Sequence, residues 1–174
     1  MPATEVGTAY NEVDALKRTI TSNTGNVRDV VVRNGVAYIG ADRLLTLSLT
    51  NPAAAPVVPS GNDVSGSDQA IEVAGGYAFT AEVGWFNDGR IHVYDVSAPN
   101  APKMLGAQLT GSGVVFTSLV SLGHDYLIGI SPYKTGTNTG HDVVVIDRRD
   151  IFKLRKVVEL DIPGFDGVQG RILD

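Results

Sequence analysis

The 174-residue chain contains no cysteine. Disulfides, thiolate metal sites and cysteine nucleophiles are therefore excluded. Positive charge is in deficit: 14 Lys and Arg face 19 Asp and Glu, for a net charge of −5. Such a chain offers no basic surface for nucleic acid. Long apolar runs are missing as well. The longest uncharged stretch, Met104 to Gly123, carries Gln108, Thr110, Gly111, Ser112 and Gly113 at its centre, and reads as strand, turn, strand rather than as a transmembrane segment. Met1 to Tyr10 is polar and has no apolar signal-peptide core, so export would imply a signal removed before this numbering. Helical periodicity is weak throughout.

What the chain does have is glycine (20 residues) and proline (8) between short runs of Val, Ile, Thr and aromatic residues. This is the composition of strands joined by many turns. The runs repeat. LLTLSLTNPAAAP at Leu44–Pro56, IHVYDVSAPNAP at Ile91–Pro102 and VVVIDRRDIFKL at Val143–Leu154 start 47 and 52 residues apart. A second row precedes them: Val27–Gly40, Ile71–Ala81 and Phe116–Ile130 each hold two apolar runs around Asn34-Gly35, Gly75-Gly76 or Gly123-His124-Asp125. Asn-Gly and Gly-Gly supply the positive φ that tight hairpins need. A fourth row, the D strands, is expected at Lys17–Thr21, Val57–Val58, Lys103–Ala107 and Arg155–Leu160. Together the rows predict four-stranded antiparallel meanders, A to D, with the period of a propeller blade.

The segments GGYAFTAE, RIHVYDVSAPNAPKMLGA and DVVVIDRRD resemble LVIVD-type repeats, a propeller-forming repeat of bacterial and archaeal, often exported, proteins. Gly76, Tyr77, Ala78 and Phe79 match the first part of that pattern, and Arg90 to Pro102 the second. The first repeat departs, with Ser48 where Asp95 and Asp147 stand, and the third has Arg148-Arg149-Asp150 in place of a proline turn. The resemblance spans roughly Val27 to Leu160. It implies an all-β, β-propeller-type array and an extracytoplasmic location, periplasmic or secreted, and says little about activity because its motifs are structural.

The expected organisation is one repeat domain over 1–174: an incoming D strand at 13–22, repeats at 27–60, 69–109 and 114–162, and a partial strand at 167–174. Three repeats fall short of a closed propeller, for which four blades is the usual minimum. Open blade faces would expose apolar strands. The expectation is thus a non-catalytic interaction or scaffolding module, completed by the remainder of a longer propeller or by other protein subunits. The alternative is a piece of a propeller enzyme, a hydrolase or lyase with its site in the central channel. No cofactor is expected.

Some residues have defined expected roles. Asp95 and Asp147 directly precede a turn, where a carboxylate accepts turn N–H groups. The long connections Ser60–Asp68, Gly84–Arg90 and Ser131–Asp142 all belong to one end of the array. Trp85 and Phe86 in the second, and Tyr133, Lys134, Asn138 and His141 in the third, are candidate partner contacts. Asn62–Asp68 has oxygen ligands at alternating positions, as calcium loops do, but lacks the glycine and acidic spacing of that motif. His92, His124 and His141 fall on a strand, a turn and a loop in no zinc-binding pattern. GxSxG, P-loop and dinucleotide motifs are absent. Asp29, Glu72 and Asp166 lie on or near the innermost strands, where carboxylates would line a channel, bind a cation or act as acids.

Overall fold

The computed structural model describes residues 26–51, 53–61, 67–83, 88–112, 115–131 and 142–163. Among them there are strands and no helix. Eleven strands form three antiparallel meanders. The first sheet is β1 (Asp29–Arg33), β2 (Val36–Gly40) and β3 (Leu44–Ser48). The second is β4 (Ser67–Ala74), β5 (Tyr77–Val83), β6 (Asp88–Asp95) and β7 (Lys103–Ser112). The third is β8 (Ser118–Leu122), β9 (Tyr126–Ile130), β10 (Val143–Asp147) and β11 (Arg155–Leu160). The chain is all-β, with every sheet in sequence order.

Local chemistry explains the hairpins. Asn34 and Gly35 have φ of 52° and 72°, and Gly75 and Gly76 have 62° and 80°. Two successive left-handed residues make the turn whose twist matches that of the flanking strands. Asp95 Oδ1 accepts the Ser97 N–H at 3.0 Å and the Ser97 hydroxyl at 2.6 Å. Asp147 Oδ1 accepts the Arg149 N–H at 3.0 Å. Both strand-end aspartates therefore close the turn that follows them, as their positions predict.

Three boundaries differ from the sequence reading. Val57 makes only an isolated bridge to Thr46, so the first sheet has three strands rather than four. Pro56 and Pro59 flank Val57-Val58 and have no N–H to continue a ladder. Gly111 and Ser112 extend β7 instead of forming a turn, because Asp88 and Gly89 pair with them. For the same reason β6 begins at Asp88, which shortens the expected Gly84–Arg90 connection. The incoming strand at 13–22 and the partial strand at 167–174 lie outside the described residues.

The sheets pack face to face, with the edge strands β1, β4 and β8 in contact in succession. Strand alternation divides the second sheet cleanly. Ile71, Val73, Ala78, Tyr94 and Val96 meet Tyr38 and Leu44 of the first sheet. Ala70, Phe79, Ala81, Ile91 and Val93 meet Phe116, Leu119, Leu127, Val144 and Ile146 of the third region. A further buried cluster, Ala37, Ile39, Leu45 and Leu47, occupies the other face of the first sheet. Each fully buried side chain of this size contributes roughly 1.5–3 kcal/mol by leaving water.

Polar links fasten the seams. Asp29 Oδ2 accepts the Ile71 N–H at 2.9 Å, joining β1 to β4. Thr46 Oγ1 donates to Pro99 O at 2.8 Å, joining β3 to the turn after β6. Arg148, buried just after β10, donates from Nη2 to Gly123 O at 2.9 Å and lies 5.3 Å over the Phe79 ring.

Candidate functional site

The two faces of an internal sheet are equivalent only if each sheet has a neighbour on both sides. Position along strand B makes the comparison direct. Tyr38, Phe79 and Ile128 are each the third residue of β2, β5 and β9. Tyr38 is buried against the second sheet and Phe79 against the third. Ile128 points the same way out of the third sheet, and it is only half-buried. Strand C repeats the pattern. Thr46 and Val93, two residues before Ser48 and Asp95, are buried, whereas Val145, two before Asp147, is half-buried.

Register carries this face across the sheet: it is half-buried at Val120, Ile128, Val143 and Val145, buried at Ile130 and exposed on β11. Val120 pairs with Ile128, Ile128 with Val145, and Val145 with Val158. In the next row Val143 pairs with Leu160. All six residues of β11 are exposed, with Val158 at 42% and Leu160 at 49%. Leu122 at the edge of β8 is 54% exposed. The opposite face, with Leu119, Leu127, Val144 and Ile146, is buried against the second sheet. Val143 to Ile146 is thus apolar on both faces, but only one face is covered by described residues.

Charge lines this face at its turn end. Asp147, 3% exposed, is gripped by Arg149 at 2.6 Å and approached by Arg155 at 3.4 Å. The hydrogen bonds from Arg149 hold its carboxyl well below the usual carboxylate range. Lys156 and Glu159 pair along β11 on the opposite face, beside Ile146 and Val144. Asp147 and Arg149 stand where the second repeat has its proline turn.

A second polar group lies on the second sheet, on the face that carries Ile71 and Tyr94. Glu82 Oε2 and His92 Nε2 are 2.7 Å apart, and both side chains are almost wholly buried. Arg90 Nη1, from a half-exposed side chain, stands 4.0 Å from the same oxygen. Burial pushes the His92 pKa down, against the attraction of Glu82. Sequence reading placed His92 on a strand and missed Glu82. Ten residues separate them, and only the β5–β6 register, with Thr80 opposite His92 and Glu82 opposite Arg90, brings them together.

Two of these three carboxylates, Asp29 and Glu72, have structural partners. Asp29 accepts the Ile71 N–H. Glu72, buried on β4, attracts the Arg148 guanidinium, whose pKa burial lowers. Asp166 lies outside the described residues, as do the candidate contacts Trp85, Phe86, Tyr133, Lys134, Asn138 and His141. Ser67 and Asp68, the end of the calcium-like segment, are paired residues of β4, and 62–66 lies outside the described residues. His124 is exposed at its turn. Among the described residues no group of three or more His, Asp or Glu gathers to hold a metal ion. No helix among them is long and apolar enough to cross a membrane.

No family model matches the chain. No curated protein matches it either. Among solved structures it is similar to the crystal structure of the computationally designed Ika8 protein, at 15% identity and a TM-score of 0.45. The match covers 77% of this chain and 49% of that one, so the chain aligns with about half of the designed protein.

Proposed function

We propose that this chain is a non-catalytic interaction module, built as a propeller-type array of LVIVD-like meanders, whose docking surface is the open face of the third sheet. One observation carries the reading. The positions that bury Tyr38 and Phe79 against a following sheet leave Ile128 half-buried, and the row Val120, Ile128, Val145 and Val158 runs across all four strands beside it. A contiguous apolar face of this kind marks an interaction surface.

The occupant we propose is a further antiparallel meander. It would present to Ile128 and Val145 a face like that of Ala78 and Tyr94, which covers Tyr38. The repetition of one packing mode at both internal seams supports this choice over a peptide or a flat partner. Such a meander belongs to another protein subunit or to the remainder of a longer propeller. The repeat resemblance suggests an extracytoplasmic setting.

Hydrogen exchange of the full chain over a dilution series tests the proposal. Association through this face predicts that β10 and β11 amides become more protected as concentration rises, while β5 and β6 do not change. Protection that is independent of concentration, or that changes equally in all three sheets, overturns it.

A further inference from the structure

The two ends of the array are not equivalent. On the second sheet, one face covers the preceding sheet through Ala78 and Tyr94, and the other receives the following sheet through Phe79. The covering positions recur on the first sheet. Ala37 is the second residue of β2, as Ala78 is of β5, and Leu47 directly precedes Ser48, as Tyr94 precedes Asp95. Ala37 and Leu47 stand with Ile39 and Leu45, and all four are between 0% and 2% exposed. Exposure on that face is confined to its margins: Val30 and Leu49 are partly buried, and Val32, opposite Ala37, is 49% exposed. The covering face at the start of the array is thus already closed within one chain. The receiving face at its end, on the third sheet, is only half-buried at Val120, Ile128, Val143 and Val145.

We infer that this chain pairs with a second copy of itself, third sheet against third sheet about a two-fold axis, and that association stops at that dimer. This dimer rests on the third-sheet docking surface proposed above, and gives that surface its partner and its stoichiometry.

Symmetry decides the stoichiometry. Repeated addition of copies needs two different, complementary faces on each chain. A second copy cannot offer its Ala37 and Leu47 face, because that face is closed. What it can offer is its own receiving face, and a face that meets its own copy makes an isologous, closed contact.

The side chains suit such a contact. Val120, Ile128, Val145 and Val158 form one even row across four strands, with no aromatic ring among them. Two faces of this kind stack at the ordinary sheet spacing of about 10 Å. Charge permits it as well. Asp147, Arg149 and Arg155 stand at the turn end of the face. Asp147 lies four residues from Val143, roughly 13 Å along the strand. A two-fold axis that crosses the strands puts the two charged groups at opposite ends of the interface, farther apart than the screening length of about 8 Å in physiological salt.

Area sets the strength. Four strands of five or six residues, about 4.8 Å apart, make a face of roughly 300 Å² in plan. That is the small end of specific interfaces, so the dimer forms and dissociates with concentration.

Sedimentation equilibrium of the full chain over a wide range of loading concentrations tests the dimer. The mass should rise from 18.4 kDa to a limit of twice that value. Val158→Lys, on the receiving face, should weaken association by about tenfold or more, because the dimer would bury its ammonium against an apolar face. Val32→Lys, at the other end, should leave association unchanged. Val158 and Val32 are 42% and 49% exposed, so a lysine at either reaches water in the single chain. A mass that grows beyond the dimer overturns the closed arrangement while the third-sheet docking surface stands. A chain that stays monomeric throughout, or association lost in Val32→Lys and kept in Val158→Lys, overturns both.

Discussion

The Phe116 ring lies flat against the backbone of Gly129: a Cβ built on Gly129 would stand 2.6 Å from Phe116 Cδ1. Phe116 is fully buried and joins the cluster between the second and third sheets. The sheet can accept that ring only because strand β9 has no side chain at this point. Gly129→Ala should therefore destabilise the protein by about 1–3 kcal/mol through overpacking. Denaturant unfolding measures it. A variant as stable as the parent would mean that the ring shifts aside at no cost.

Asp29 presents a different case, in which one carboxylate replaces a missing strand partner. Ile71 lies on β4, an edge strand of the second sheet, and its N–H is satisfied by Asp29 Oδ2. Asp29→Ala leaves that donor orphaned beside the buried Ile71 side chain and should cost about 1–3 kcal/mol. Asp29→Asn keeps an acceptor oxygen and should cost less. Equal losses for the two variants, measured by denaturant unfolding, would show that charge and not the hydrogen bond matters there.

Acid stability reports on Asp147. Its folded pKa is depressed, first by hydrogen bonds from Arg149 and then by the charges of Arg149 and Arg155. Its contribution is therefore complete above the unfolded carboxylate value of about 3.9. It is lost as pH falls from there through the folded value. Asp147→Asn should be less stable than the parent at pH 5, with a shallower decline below pH of about 4. Parallel stability curves for parent and variant between pH 5 and pH 2.5 would contradict this.

Hairpins and turn aspartates were legible in the sequence because their causes are local. Asn34-Gly35 and Gly75-Gly76 demand positive φ, and Asp95 and Asp147 reach N–H groups two residues away. The D strand at Val57-Val58 was misread because apolar character was weighed above the two flanking prolines. The pair Glu82–His92 depends on cross-strand register, which composition does not reveal. One signal was available: in a hairpin joined after Val83, positions 80 and 82 share a face with 90, 92 and 94. The open third face is legible only once Tyr38, Phe79 and Ile128 are seen to occupy one position in successive sheets. The proposed contacts Trp85, Phe86, Tyr133, Lys134 and His141 remain sequence-based candidates for a partner surface.

If the third sheet docks a further meander, a charge on its open face should interfere with docking and leave the fold intact. Val145 is central, paired with Ile128 and Val158, and half-buried. Val145→Lys should preserve the far-ultraviolet circular dichroism of the parent, since the lysine head can reach water along the open face. Loss of the β spectrum would mean that this face is needed for folding and not for association.

Sedimentation velocity of the full chain and of Val145→Lys, each over a wide concentration range, tests the central claim most directly. The account predicts that the parent self-associates as concentration rises, its uncovered face pairing with another copy when no other meander is supplied, and that Val145→Lys sediments as a monomer throughout. A parent that remains monomeric at every concentration, or a variant that associates just as the parent does, would contradict it.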